Sequence, residues 1–209
     1  MFNYYSVILT AGESRRMGKF PKALLKIEES TFIEKIIESQ KGIEPAPENI
    51  LIVLGFHREK IVQLLKEEEG YKFVINPKPD RGMLSSIKEA IQIMDGKVQG
   101  FLLSLVDHPL VKEETYNTII KRAESNPGQI IIPTYRKQKG HPVFFPETVF
   151  EELLECPLEM GARKVVWNNQ DRVKLVSVND QGILKDIDTP EIYQEEMKSR
   201  QGEVNQKSQ

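Results

Sequence analysis

Five short runs, apolar almost throughout and rich in β-branched residues, constrain the fold of this chain more than any other feature. They are Tyr5–Thr10, Ile50–Gly55, Tyr71–Ile75, Phe101–Val106 and Gln129–Pro133. A strand with one face in water alternates apolar and polar residues; these do not, so they read as strands covered on both faces, as in a parallel sheet. Amphipathic segments lie between them. Phe32, Ile33, Ile36 and Ile37 form one helical stripe, Ile61, Leu64 and Leu65 a second, and Leu84, Ile87, Ala90, Ile91 and Met94 a third. Spacings of three and four place each set on one helix face. Strand–helix alternation with right-handed crossovers predicts a three-layer α/β/α architecture around a mostly parallel, twisted sheet.

The pattern changes after Pro133. Thr134–Gln138 and Pro142–Phe145, joined through Lys139-Gly140-His141, predict a small antiparallel excursion from the sheet. Helices follow near Glu147–Leu154 and Gly161–Asn168, a strand near Arg172–Val178, and a closing helix after Pro190, a residue suited to a first helical turn. A chain of 209 residues suits one large domain, placed at 1–198, with the polar stretch 199–209 expected as a disordered tail. Net charge is −2, so the composition gives no reason to expect a nucleic-acid partner, and any affinity for phosphate has to be local. Cys156 is the sole cysteine, which excludes an internal disulfide or a Cys-rich zinc site. No apolar run approaches the ~20 residues that span a bilayer. The start of the chain lacks a basic signal-peptide region, so no membrane partner is expected and the cytoplasm is the expected compartment.

In open α/β sheets ligands bind beyond the carboxyl ends of the strands. After the first strand comes the loop Leu9-Thr10-Ala11-Gly12-Glu13-Ser14-Arg15-Arg16-Met17-Gly18-Lys19-Phe20-Pro21-Lys22. Small residues let the backbone approach a ligand closely, and Gly12 and Gly18 can adopt dihedrals closed to other residues, while Arg15, Arg16, Lys19 and Lys22 supply cations. Backbone N–H groups beside fixed cations make a triphosphate cradle. The loop is neither a Walker A motif nor a G-x-G-x-x-G fingerprint. Asp107, at the end of an apolar strand and before His108-Pro109, is one candidate carboxylate. Asp188, in Lys185-Asp186-Ile187-Asp188-Thr189-Pro190, is the other. Hard oxygen ligands of this kind suit Mg²⁺, although Asp188 or Thr189 can equally cap the helix that starts at Pro190. His57 is expected at the surface; His108 and His141 can serve either a pocket or the scaffold.

Leu9-Thr10-Ala11-Gly12-x-Ser14-x-Arg16-Met17-Gly18-x-x-x-Lys22 resembles the signature loop of the MobA-like nucleotidyltransferases. Asn76-Pro77 with Arg81-Gly82-Met83-Leu84-Ser85-Ser86-Ile87 resembles the segment that closes over the nucleotide. Asp107-His108-Pro109 resembles the metal-binding Asp-x-Pro. Gly140-His141-Pro142, Gly161-Ala162-Arg163 and Asp186-Ile187-Asp188-Thr189-Pro190 together resemble the molybdenum cofactor cytidylyltransferase branch. The resemblance implies a fold of the nucleotide-diphospho-sugar transferase type. It also implies that Leu9, Thr10, Ala11 and Gly12 meet base and sugar, that Asn76, Gly82, Ser85 and Ser86 fix the nucleotide, and that Arg16 and Lys22 hold phosphates. Lys22, Arg16 and Asp107 would be catalytic, Asp107 and Asp188 would bind Mg²⁺, and His141 and Arg163 would meet the acceptor. Ala11, where guanylyl enzymes carry Gly, favours CTP over GTP. Thr10 departs from the usual Ala, and Leu158-Glu159 stand where the branch commonly has Gly-Asp.

The implied reaction transfers a nucleoside monophosphate to a phosphorylated small-molecule acceptor, molybdopterin or molybdenum cofactor, with release of pyrophosphate. Two other readings stay open on the sequence. One is a sugar-phosphate or other small-alcohol-phosphate nucleotidyltransferase. The other is a non-catalytic chaperone that passes the cofactor to a molybdoenzyme, which makes such an enzyme a candidate partner.

Overall fold

The computed structural model describes residues 2–65 and 70–207, with side chains as far as Arg200. In chain order the strands are β1 (Tyr5–Leu9), β2 (Lys26–Ile27), β3 (Ser30–Thr31), β4 (Asn49–Leu54), β5 (Tyr71–Ile75), β6 (Gly100–Leu105), β7 (Ile130–Tyr135), β8 (Gln138–Lys139), β9 (Val143–Pro146) and β10 (Val173–Ser177). The helices are α1 (Phe32–Lys41), α2 (Arg58–Leu65), α3 (Met83–Gln92), α4 (Glu113–Ser125), α5 (Phe150–Glu155), α6 (Ala162–Asn168) and α7 (Pro190–Lys207). The main sheet runs β10-β7-β9-β6-β1-β4-β5, with β8 paired to β7; β2 and β3 form a separate small antiparallel pair. β1, β4, β5 and β6 are mutually parallel in register, as are β7 and β10.

Both faces of the sheet are covered over its inner strands, which is why those are apolar nearly throughout, whereas the outer strands leave Lys72 and Ile75 of β5 and Lys174 and Leu175 of β10 exposed. In β1, Tyr5, Val7 and Leu9 enter one core with Leu84, Ile87, Leu153 and Val165 of α3, α5 and α6. Ile8 faces the opposite core, where Phe32, Ile33, Ile36 and Ile61 of α1 and α2 pack. A third cluster beside it holds Tyr116, Ile119, Ile120 and Ala123 of α4. The three-layer architecture expected from strand–helix alternation is the one found.

Several details differ. The antiparallel element after Pro133 is present, but β9 is seated inside the sheet, antiparallel to both β6 and β7, with all four residues buried. A tight turn at Arg136-Lys137, both with positive φ (48° and 69°), joins β7 to the short β8, and the chain then enters β9 through Gly140-His141-Pro142. Two left-handed residues suit a tight hairpin, yet Arg-Lys carries none of the Asn or Gly chemistry that marks one. α4 is an additional amphipathic helix. Leu64 is 37% exposed and so does not share the buried stripe of Ile61 and Leu65. The closing helix α7 starts at Pro190 and runs to Lys207, and its Lys, Gln, Glu and Arg residues are good helix formers.

α4 starts at Glu113 with no cap from a neighbouring side chain. Asp180, distant in sequence and 3% exposed, supplies one: its Oδ2 accepts from Lys112 N (2.9 Å) and Thr115 Oγ1 (2.7 Å). Its Oδ1 accepts from Gly182 N at 2.8 Å, fixing the turn that leads to Asp186 and Asp188. A carboxylate at a helix N-terminus also meets the positive end of the helix dipole. Asp180→Ala is therefore expected to lower the unfolding free energy by about 1.5–3 kcal/mol, measured by urea denaturation.

Candidate active site

β1 ends at Leu9 and releases the chain into a loop that folds back on itself. Met17 and Lys19 N–H donate to the Ser14 carbonyl, and Gly18 N–H to that of Arg15. Ser14, Gly18 and Lys19 take positive φ (56°, 61° and 63°). Gly18 thus uses the dihedral freedom of glycine. Gly12 does not; a Cβ there would meet nothing within 4 Å, so what Gly12 contributes is open space. A Cβ on Gly55, at the end of β4, would lie 2.5 Å from the Ala11 carbonyl, so the loop seats against bare backbone.

The loop returns to the sheet at Lys22, whose ammonium is only 14% exposed at the side chain. Lys22 Nζ donates to Asp107 Oδ2 at 2.8 Å and to Asp188 Oδ1. Arg16, largely exposed, pairs with Asp188 Oδ2 from the solvent side. Asp188 reaches this point because Ile187 N–H donates to the Asp107 carbonyl at 2.8 Å, pinning the last loop to the end of β6. Thr189 Oγ1 faces Ile192 N at 3.4 Å, so the capping contact of α7 belongs to Thr189 while Asp188 turns into the site. Burial opposes a charged Lys22, but the two carboxylates outweigh it and raise its pKa. Burial likewise opposes an ionised Asp107. The hydrogen bonds and charges of His108 and Lys22 reverse that and hold the carboxyl well below the usual range.

Three clefts adjoin this centre. One, of about 360 Å³, lies between Gly12–Arg16, Lys22, Phe56, Pro79, Asp80 and Asp188. A second, of about 190 Å³, is walled by Leu9, Ala11, Gly12, Lys22, Pro79, Gly82, Met83, Ser86 and Asp107 among others. The third, of about 530 Å³, is mainly apolar, with Leu103, Ile132, Val143, Phe145, Met160 and Val166 around His141 and Arg163. Met83 borders the second and third alike.

Most residues singled out in the sequence thus converge. Three stand back from the clefts. Thr10 Oγ1 donates to the Val53 carbonyl at 2.8 Å, so its side chain ties β1 to β4 and does not face a ligand. Asn76 is buried and donates to Ser85 Oγ (2.8 Å) and Ser86 Oγ (2.9 Å), which organises the segment before α3. Ser85 Oγ also lies 2.7 Å from the Gly82 carbonyl. Phe56 and Pro79 also line the clefts but carry no polar signal in the sequence. His57, expected at the surface, has Nε2 3.1 Å from the Glu13 carbonyl and so touches the loop. His108 Nδ1 lies 3.0 Å from Asp107 Oδ1.

Two carboxylates aimed at one cationic point are a donor set that suits a hard divalent ion, with water and phosphate oxygens completing the shell. Among the described residues no group of three or more His, Cys, Asp or Glu side chains is placed to hold a metal ion by itself.

His141 stands beside His108 with ring centroids 5.2 Å apart. Burial first, and then the neighbouring His108, lower its pKa from 6.5 to about 4, with Asp107 opposing. Between those pH values the unfolded chain binds a proton that the folded chain refuses, so this group makes stability fall as pH drops through the window. In His141→Phe the slope of unfolding free energy against pH from 6.5 to 4 is expected to be shallower, by at most about 1.4 kcal/mol per pH unit. Urea titrations at stepped pH read it directly.

Comparison with known proteins bears on the family and the fold. The bifunctional protein GlmU of a Synechococcus strain is 26% identical over 130 residues, covering 62% of this chain but only 28% of that protein. This chain therefore matches little more than a quarter of that relative's length. A crystal structure of Rv0371C from Mycobacterium tuberculosis in complex with manganese superposes with a TM-score of 0.76 at 25% identity, covering 94% of this chain and 98% of that one. Molybdopterin-guanine dinucleotide biosynthesis protein A from Archaeoglobus fulgidus has the same fold, with a TM-score of 0.70 at 18% identity over 95% and 99% of the two chains. The family model of the MobA-like NTP transferase domain matches residues 6–173, most of the chain. With that match on top of the shared three-layer fold, the chain belongs to the MobA-like NTP transferase domain family of nucleotidyltransferases.

Proposed function

We propose that this domain transfers CMP from CTP to the phosphate of a molybdopterin-type acceptor, releasing pyrophosphate, with Mg²⁺ held by Asp107 and Asp188. The observation that carries the reading is the Lys22 ammonium between those two carboxylates, beside the clefts that would take the two substrates. That one structural relative was crystallised as a complex with manganese supports the use of a divalent ion.

The loop cleft would take the triphosphate. Arg16 and Lys22 would leave their carboxylate partners for phosphate oxygens, offsetting the repulsion between two anionic substrates. The acceptor phosphate is ionised at neutral pH and attacks the α-phosphorus in line, so no general base is needed. When bound, Mg²⁺ would polarise the α-phosphate and neutralise its developing charge. Lys22 would stabilise the pyrophosphate as it leaves. Ser86 and Gly82, set by Asn76, would wall the nucleoside.

Ala11, on the wall of the second cleft at the loop position where guanylyl enzymes carry Gly, supports a cytidine nucleotide. The third cleft supports the acceptor class. A sugar phosphate asks for hydroxyl-binding side chains, whereas Leu103, Ile132, Val143 and Phe145 offer a flat apolar bed with Arg163 among its lining cations. That composition favours a fused heterocycle bearing a phosphate. A pure carrier would have no use for Lys22 fixed between two carboxylates.

Pyrophosphate release with CTP, Mg²⁺ and molybdopterin is expected to fall by about 10²–10³ in Asp107→Ala, as when one preorganised contact is lost. An unchanged rate would remove the cation assignment. In the wild-type protein, CTP with Mg²⁺ is expected to raise the melting temperature more than GTP does at equal concentration, because preferential binding to the folded state stabilises it. A larger shift with GTP overturns the base preference, and turnover with sugar phosphates but not with molybdopterin overturns the acceptor.

A further inference from the structure

Asp107 uses its two oxygens differently. Oδ2 accepts from Lys22 Nζ at 2.8 Å, and Oδ1 lies 3.0 Å from His108 Nδ1. An ionised carboxylate can only accept, so the hydrogen bond places a proton on Nδ1 of His108. The His108 ring is itself confined. Its side chain is 11% exposed, its backbone N–H donates to the Leu105 carbonyl at 3.1 Å, and the His141 ring packs against it edge-on. His141 is fixed in turn by its N–H, which donates to the Ile183 carbonyl at 3.0 Å.

We infer, on the functional reading above, that His108 is a positioning residue: its Nδ1–H locks the rotamer of Asp107 so that Oδ2 stays aimed at the cation point shared with Asp188. The reason is geometric. An aspartate carboxylate turns about two bonds, and without a partner on Oδ1 neither oxygen keeps a fixed direction, so Oδ2 would not stay aimed at the point that the Lys22 ammonium occupies and a divalent ion would share. With Oδ1 held by a ring packed on its far side by His141, only Oδ2 faces forward. Hydrogen bonds that orient a metal's carboxylate ligands in this way are typically worth about 10–100-fold in metal affinity.

The test is a Mn²⁺ titration of the full chain followed by electron paramagnetic resonance, in the presence of CTP. His108→Phe keeps a flat ring and removes the donor; His108→Asn loses the ring and keeps an N–H close to the position of Nδ1. The Phe variant is expected to bind Mn²⁺ about 10–100-fold more weakly and the Asn variant within about threefold of wild type, with excess Mn²⁺ restoring turnover in the former. Wild-type Mn²⁺ affinity in a folded Phe variant overturns the inference. Equal weakening in both variants also overturns it, because a merely structural ring would give that result. Should His108→Phe fail to fold, His108→Ala, which overpacks nothing, is read by the same criteria. A wild-type protein that binds no Mn²⁺ even with CTP overturns the functional reading itself, and does so before any variant is compared.

Discussion

The ion triad of Lys22, Asp107 and Asp188 is the interaction on which the rest of the site depends. Its members come from the first loop, the end of β6 and the last loop before α7, so a single buried ammonium joins three distant parts of the chain. A cation so placed opposes its own desolvation only because two carboxylates surround it, and those carboxylates tolerate burial only because it is there. The backbone bond from Ile187 to Asp107 and the carboxylate staple of Asp180 hold the last loop in reach. Asp180 and Ile187 line none of the three clefts, yet both decide where Asp188 lies.

The sheet explains why the clefts sit around this triad. Parallel β1, β4, β5 and β6 send their carboxyl ends to one edge, and the loop after β1 spreads over it. β9 enters antiparallel between β6 and β7. Its start, preceded by Gly140 and His141, therefore lies at the same edge as the ends of its neighbours. Val143 and Phe145 of that strand form part of the third cleft, opposite the first turn of α6. A fully parallel sheet would have needed another crossover at this position, and the apolar bed would not border Met83. On the functional reading above, inserting one antiparallel strand is what creates room for the second substrate.

How far the sequence was legible varies residue by residue. The loop, Lys22, Asp107 and Asp188 could be found because charge at the end of an apolar strand is conspicuous and because strand ends share an edge. His108 carried no such sign, since a histidine beside an aspartate is uninformative until the side chains are placed. Thr10 and Asn76 sit within matching motifs but spend their hydrogen bonds on the scaffold. A motif defines spacing and leaves open which way a side chain turns. Gly18 uses the dihedral freedom of glycine, whereas Gly12 offers only the absence of a side chain, and spacing alone does not tell the two apart.

Local chemistry alone determined the strands, most of the helices, the α/β class and the cation-rich loop, because burial on both faces and helical periodicity are written in neighbouring residues. Only the tertiary structure decided that β9 lies within the sheet, that Thr189 carries the capping contact of α7 while Asp188 turns inward, and that Lys22 bridges two carboxylates. Each of these depends on residues far apart in the chain whose meeting is set by strand order and crossover geometry. Spacing along a sequence does not encode that order.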